Sequence, residues 1–122
     1  FILHEKLDNT KFEKIYGEIR CTIVPSIWQE PLPYVVTEAL LRRRIVIASD
    51  IGGIPEIAGG CTGAFMFKAG DYEQLAENML YVKDLNREDV IELGIKNRQN
   101  VMKKFSNERI VRKFMSILSE VT

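Results

Sequence analysis

Two glutamates, Glu30 and Glu38, stand eight residues apart at a place where the chain changes from loop to helix. Pro31 and Pro33 lie between them and disfavour a single helix that would carry both carboxylates. Proline suits the first turn of a new helix, so we expect Glu30 in the loop and Glu38 in the second helical turn. The two carboxylates would then bracket a helix N-terminus, which offers unpaired N–H groups and a positive dipole end.

Such an arrangement suits a ligand with an anionic centre and hydroxyl groups at both ends, which is the form of a nucleotide sugar. The backbone N–H groups of Tyr34 and Val35 would face its diphosphate. One carboxylate would accept hydrogen bonds from the sugar hydroxyls and the other from the ribose hydroxyls, because charged acceptors make strong hydrogen bonds. Gly52 and Gly53 add a second place where backbone can approach phosphates closely.

The same glutamates also have an ordinary structural interpretation, and the spacing alone favours it. Two glutamates eight residues apart are common by chance in a chain with 17 acidic residues. Glu30 would then be a solvated loop residue, and Glu38 would pair with Arg42 four positions later on an exposed helix face. Further motifs are therefore needed to decide between the two interpretations.

The surrounding pattern predicts strands that alternate with helices through the first two thirds of the chain. Strands are expected at residues 1–4, 20–24, 45–48 and 64–67, and helices at 11–17 (capped by Asn9 or Thr10), 34–43, 55–58, 72–83 and after the caps Asn86 and Ser106. Alternation of this kind indicates a parallel sheet with helices on both faces, whose ligands bind at the carboxyl ends of the strands. The inner faces of the helices are expected to include Val35, Val36, Met79 and Leu80.

Several motif pieces, in order and at matching separations, resemble the family 4 retaining glycosyltransferases, which have the GT-B fold. A strand ends in Pro25 and Ser26, the E-x7-E pair follows, and Glu38 is followed by alanine. A strand of the Val-Ile-Ala-Ser-Asp type comes next at residues 46–50, and Gly-Gly-x-Pro-Glu follows at 52–56. The resemblance extends over roughly residues 15–101. It implies the Rossmann-like donor-binding domain of such an enzyme, in partial form with about four strands, over residues 1–122.

The resemblance also implies a role for each matching residue. Glu30 would be catalytic, in contact with the transferred sugar, and Glu38 would bind the ribose. The amides of Tyr34 and Val35 would bind the phosphates. The remaining donor-binding positions are Ser26, Pro33, Gly52 and Gly53. The reaction would transfer a sugar from a nucleotide-diphosphate donor to a glycan or lipid-linked acceptor with retention of configuration. No cofactor and no metal are expected.

The sequence departs from the family pattern in ways that favour a second hypothesis. The family usually has glycine where Pro33 stands, and proline removes a backbone donor. It also has glycine near Arg43, where Arg42, Arg43 and Arg44 form a basic corner. The family's basic pair for the diphosphate and its acceptor domain would lie before Phe1, so we expect this chain alone to be inactive. The alternative is a non-catalytic relative that acts as a regulatory or assembly partner.

The expected sheet leaves an edge open. In the strand order 3-2-1-4-5-6 of such folds, residues 1–4 would be the third strand, and the first two would be missing. The first strand should then be displaced, mispaired or paired with another chain, and the exposed edge invites association.

Composition excludes several other classes of protein. The chain has 122 residues with 17 basic and 17 acidic ones, so it lacks the basic excess that nucleic-acid binding needs. Cys21 and Cys61 form no metal-like or redox-like pair in the sequence. No apolar run is long enough to cross a bilayer, and we expect a cytoplasmic protein, with peripheral membrane contact left open. A flavodoxin-like signalling module would not explain the ordered motifs.

Overall fold

The computed structural model describes residues 2–121, without the side chain of Val121, and shows a three-stranded parallel sheet covered by helices. The elements in chain order are α1 (Asn9–Glu18), β1 (Cys21–Val24), α2 (Tyr34–Leu41), β2 (Ile45–Ser49), α3 (Ile54–Ala58), β3 (Ala64–Phe67), α4 (Tyr72–Asp84), α5 (Arg87–Lys104) and α6 (Asn107–Val121). The strands follow the order β1-β2-β3, and Val46 lies opposite Thr22 on one side and Ala64 on the other.

The central strand β2 separates two apolar clusters, because successive side chains of a strand point to opposite faces. Val46 and Ala48 pack with α2, α3 and α5 on one face. Ile45 and Ile47 pack against Val82 of α4 on the other. Every residue of β2 is buried, as is typical of a parallel strand with helices on both sides. The predicted α/β architecture is therefore present.

Helix α5 fixes the turn that joins α2 to β2. Asn97 is fully buried, and its side-chain amide donates to the Arg44 carbonyl at 3.0 Å. Its side-chain oxygen accepts from the Gly63 N–H at 2.9 Å, which ties this turn to the start of β3. Gly94 lies so close to the turn that a Cβ there would stand 2.2 Å from the Arg43 carbonyl oxygen.

Arg43 is the one non-glycine residue of the described chain with a positive φ, at 59°. This is the position near which the family pattern has glycine, because side chains other than glycine rarely adopt the left-handed conformation. The run of three arginines was expected to be a solvated corner, yet Arg42 and Arg44 are only partly exposed.

Some predicted elements are wrong in detail. The strand expected at residues 1–4 is absent from residues 2–4, which are exposed coil, so the described sheet has three strands and not about four; Phe1 lies outside the described residues. No neighbouring strand of the described chain is placed to pair with these residues, and an unpaired strand leaves its backbone groups unsatisfied. Helix α1 begins at Asn9 because Asp8, and neither Asn9 nor Thr10, caps it.

The inner faces of two helices also differ from the prediction. Val35 is 51% exposed, whereas Val36 is fully buried. Met79 and Leu80 are exposed, and Val82 is the buried residue of α4. Met79 and Leu80 fit the apolar periodicity, but α4 packs on β2 and β3 through the face that carries Val82. Helix α6, which Ser106 caps as predicted, also leaves its apolar residues exposed.

Candidate functional site at the start of helix α2

The loop at residues 25–33 and the turn at residues 50–53 follow β1 and β2, so both lie at the carboxyl edge of the sheet. The Gly53 N–H donates to the Glu30 carbonyl at 2.9 Å. Gly52 has a φ of 60°, and a Cβ on it would stand 2.6 Å from the same carbonyl oxygen. A Cβ on Gly53 would stand 2.3 Å from the Pro31 carbonyl oxygen. Both glycines are thus needed for the turn to pack against the loop that carries Glu30.

Ser49, the last residue of β2, fixes the beginning of the same loop. Its hydroxyl is fully buried and donates to the Ser26 carbonyl at 2.7 Å. The predicted donor-binding residue Ser26 therefore uses its carbonyl inside the protein, which leaves its side chain for other contacts. Ser49 was not among the predicted site residues, although a serine at the end of a buried apolar strand indicates a hydrogen-bond partner nearby.

Helix α2 begins with unpaired backbone donors. Pro33 is the N-cap, with extended backbone and no side-chain hydrogen bond, so it stands one position before the predicted first turn. Its carbonyl accepts from the Val36 N–H at 3.1 Å. The N–H groups of Tyr34 and Val35 have no acceptor among the described residues, and both side chains are exposed. The start of α2 can therefore receive an anion.

Glu30 lies in a cavity of about 360 Å³ between the loop that precedes this helix and the glycine turn. The cavity is lined by Gln29, Glu30, Pro31, Gly52, Gly53 and Glu56. The side chain of Glu30 is exposed, and its carboxylate accepts no hydrogen bond from the described residues. A free carboxylate beside an amide and a second carboxylate, that of Glu56, forms a set of acceptors suited to hydroxyl groups.

Glu38 lies in a different cavity, a groove of about 550 Å³ between α2 and α5. The groove is lined by Tyr34, Thr37, Glu38, Leu41, Arg42, Arg98 and Met102. The Arg42 Nε donates to the Glu38 Oε1 at 3.2 Å, as the ordinary interpretation of this pair predicts. The described residues therefore do not bring Glu30 and Glu38 into one cavity. The groove reaches the first residue of α2, Tyr34, whereas the lining of the Glu30 cavity ends at Pro31, two residues before the N-cap.

Arg42 also binds a residue that the sequence analysis did not identify. Its Nη1 and Nη2 donate to the two carboxylate oxygens of Glu13 on α1, at 2.5 and 2.6 Å. This hydrogen-bonded guanidinium holds the pKa of the Glu13 carboxyl below its ordinary value. The contact joins residues 29 positions apart, so no local pattern in the sequence could have indicated it.

The cysteines and acidic groups offer no other reactive centre among residues 2–121. Burial raises the pKa of the Cys21 and Cys61 thiols, so both are protonated near neutral pH. No group of three or more histidine, cysteine, aspartate or glutamate side chains converges in the described part of the chain. The helices within that same part are too short or too polar to span a membrane.

Comparison with known proteins assigns the family. The family described as "Glycosyl transferases group 1" matches residues 1–84. An alpha-maltose-1-phosphate synthase of Mycolicibacterium smegmatis is 35% identical over 130 aligned residues, which cover 100% of this chain and 33% of that protein. An alpha-maltose-1-phosphate synthase of Mycobacterium tuberculosis is 35% identical over 72 residues, 58% of this chain and 18% of that protein.

A solved structure agrees with the fold. The chain superimposes on the sucrose-phosphate synthase of Thermosynechococcus elongatus with a TM-score of 0.74 at 22% identity, over 95% of this chain and 29% of that one. This likeness confirms the predicted GT-B type of α/β fold. The chain spans about a third of the length of these relatives.

Proposed function

The chain belongs to the glycosyl transferases group 1 family, and we propose that it supplies the donor-binding half of a retaining glycosyltransferase. The donor would be a nucleoside-diphosphate sugar, and the acceptor a glycan or a lipid-linked sugar. We also propose that the protein acts in the cytoplasm and needs no metal for donor binding. These proposals extend a match that covers a third of the relatives' length.

One observation carries the proposal: the start of helix α2 is unpaired, and a cavity that contains a glutamate lies on the side of the preceding loop and another on the side of the helix. The amides of Tyr34 and Val35 are unpaired and exposed, which suits a diphosphate. Glu30 precedes them in one cavity, and Glu38 follows them in the other. A ligand that lay across the helix start would reach both carboxylates from its two ends.

Each residue then has a distinct task in the proposed reaction. Glu38 accepts hydrogen bonds from the ribose, and the helix start binds the diphosphate as it becomes the leaving group. Glu30 contacts the transferred sugar and stabilises the positive charge that develops on it. Gly52 and Gly53 keep the Glu30 loop in place, and Ser26 and Pro33 bound the loop at its two ends. The departing phosphate would help to deprotonate the acceptor on the same face, which retains the configuration.

Calorimetric titration of the full-length protein with ADP-, GDP- and UDP-glucose tests this assignment. We expect Glu38→Ala to weaken binding of the preferred donor about tenfold or more, because a hydrogen bond to a charged group is lost. Glu30→Gln should leave donor affinity within about threefold and lower kcat about 100-fold. Glu92→Gln is the matched control, since Glu92 forms an exposed pair with Lys96 on α5. Unchanged donor affinity in Glu38→Ala would contradict the ribose role.

Two observations favour the second candidate, a non-catalytic domain that regulates or assembles a partner. Pro33 stands where the family has an amide donor, and Arg42 already occupies one oxygen of Glu38. Such a domain would bind nucleotide sugars weakly or not at all and would show no transfer in the full-length protein. Measured turnover that Glu30→Gln abolishes would exclude it.

A further inference from the structure

Arg42 forms two ion pairs, one with Glu13 on helix α1 and one with Glu38 on helix α2. Both Nη groups of Arg42 bind the two oxygens of Glu13, at 2.5 and 2.6 Å. The Arg42 Nε donates to the Oε1 of Glu38 at 3.2 Å, and Nη2 lies 3.2 Å from the same oxygen. The two carboxylates thus share one guanidinium: Glu13 binds the Nη1–Nη2 edge with both oxygens, and Glu38 meets the Nε–Nη2 edge with one.

The guanidinium group of Arg42 also contacts two aromatic rings. Its guanidinium carbon lies 5.4 Å from the ring centre of Phe12 and 5.2 Å from that of Tyr16, within the range of a cation–π contact. Both rings and Glu13 belong to α1. Helix α1 therefore holds the guanidinium through two rings and through its Nη1–Nη2 edge, and the Nε–Nη2 edge faces Glu38 on α2.

This arrangement leaves Glu38 half engaged. Its Oε2 accepts no hydrogen bond from the described residues, and its side chain remains 41% exposed along the groove that Tyr34 also lines. Nη2 is shared with Glu13, and without Glu13 the Nε–Nη2 edge of Arg42 would be free to bind both oxygens of Glu38. Glu13 therefore keeps one acceptor of Glu38 available while Arg42 fixes its direction.

We propose that Glu13 and Arg42 are positioning residues that hold the Glu38 carboxylate for the vicinal hydroxyls of a ribose. This inference rests on the proposed function, because it requires that Glu38 bind the ribose of the donor. Neither residue needs to touch the ligand. The pair acts on orientation and on the number of free acceptor oxygens, so its effect should depend on whether the ligand carries ribose hydroxyls.

That dependence supplies the test, which uses the full-length protein. ADP, GDP and UDP are titrated by calorimetry, and the nucleotide that binds best is then compared with its 2′,3′-dideoxy form. We expect Glu13→Gln to weaken binding of the ribonucleotide about threefold, the size expected for a partly exposed pair, and to leave the dideoxy form unchanged. Arg42→Lys, which keeps the charge but loses the fork, should behave in the same way. Glu92→Gln should change neither affinity.

Each other outcome overturns part of the proposal. An equal loss for both ligands in Glu13→Gln means that the pair supports only the structure, and unchanged or tighter ribonucleotide binding means that Glu13 does not keep Glu38 available for the ribose. Either result removes the inference. If Glu38→Ala keeps the wild-type preference for the ribonucleotide, the proposed ribose role itself fails. If Glu38→Ala loses the preference and Glu13→Gln keeps it, the proposed function stands and the positioning role does not.

Discussion

The two ends of helix α2 are built in opposite ways. At its N-terminal end, the amides of Tyr34 and Val35 are unpaired, and Pro33 caps the helix without a side-chain hydrogen bond. At its C-terminal end, the turn is closed by the chain itself, because the Arg44 N–H donates to the Ala39 carbonyl at 2.9 Å. Asn97 then binds the Arg44 carbonyl from α5. One end leaves its polar groups open, and the other satisfies them internally.

This difference teaches where the fold can bind a ligand. A βαβ unit places the start of its helix at the carboxyl edge of the sheet and the end of its helix at the opposite edge. The closed end tolerates a left-handed arginine, Arg43, because Gly94 and Asn97 hold the turn around it. The open end has no such contacts from α5. We infer that the closed turn provides stability and the open end provides the anion-binding part of the site, and that the Arg42 side chain reaches from the closed end back to Glu38.

Removal of the Asn97 side chain should give the largest loss of stability. Asn97→Ala leaves the Gly63 N–H and the Arg44 carbonyl without their partner and opens a cavity, so we expect a loss of about 3 kcal/mol. Chemical denaturation of the variant and the wild type measures it. Asn97 lines neither the Glu30 cavity nor the Glu38 groove, so the folded fraction should bind the nucleotide with unchanged affinity.

Asn100→Ala is the matched control for this change, since Asn100 lies one turn further along α5, donates to the exposed Gly60 carbonyl and accepts only a weak hydrogen bond from the Cys61 thiol. Asn100→Ala should lower the free energy of unfolding by about 1 kcal/mol or less. The affinity of Asn97→Ala for the nucleotide is corrected for the unfolded fraction. If the corrected affinity is lower than that of the wild type, the assignment of stability to one end of α2 and binding to the other is wrong.

Gly53→Ala should have a smaller effect on stability and a larger effect on binding. Its Cβ would stand 2.3 Å from the Pro31 carbonyl oxygen, so the loop or the turn must move, at a cost of about 2 kcal/mol. The displaced loop carries Glu30, and transfer activity at saturating donor should fall well beyond the loss of folded protein. Denaturation and kcat, measured on the same preparations, separate the two effects.

Gly17→Ala serves as the control for Gly53→Ala, because a Cβ on Gly17 meets nothing within 4 Å. Inside helix α1 this substitution should be neutral or stabilising by up to about 1 kcal/mol. If Gly53→Ala lowered stability while kcat per folded molecule stayed at the wild-type value, the link between the turn and the Glu30 loop would be wrong.

Local patterns in the sequence predicted the central elements of the fold. The strands around Ile47 and Phe65 and the cap at Asn86 were found because apolar periodicity and capping residues act over a few positions. The strand at residues 1–4 was not found in the described residues, because a strand depends on a neighbour that local pattern does not reveal. The exposure of Met79 and Leu80 likewise depends on which face of α4 packs on the sheet.

Local patterns indicated only those features of the candidate site that lie within one segment of the chain. Glu30, Glu38 and the free amides follow from prolines and spacing within one segment. The Glu13–Arg42 contact and the Ser49–Ser26 hydrogen bond join segments 29 and 23 residues apart, so they depend on the folded arrangement. The separation of Glu30 and Glu38 into two cavities depends on it as well, and the sequence interpretation had placed them around a single ligand.

Arg43 gives the smallest predicted effect and the most direct test of the closed end. A non-glycine residue in the left-handed conformation destabilises the folded state by about 1–2 kcal/mol. Glycine removes this strain, but it also loses more conformational entropy on folding, which offsets roughly half of the gain. We therefore expect Arg43→Gly to stabilise the protein by about 0.5–1 kcal/mol, measured by denaturation. Arg43→Ala removes the same charge but keeps the Cβ, so it should give no gain. If both variants were equally stabilised, relief of arginine repulsion would be the cause, and the closed end would hold no backbone strain at this turn.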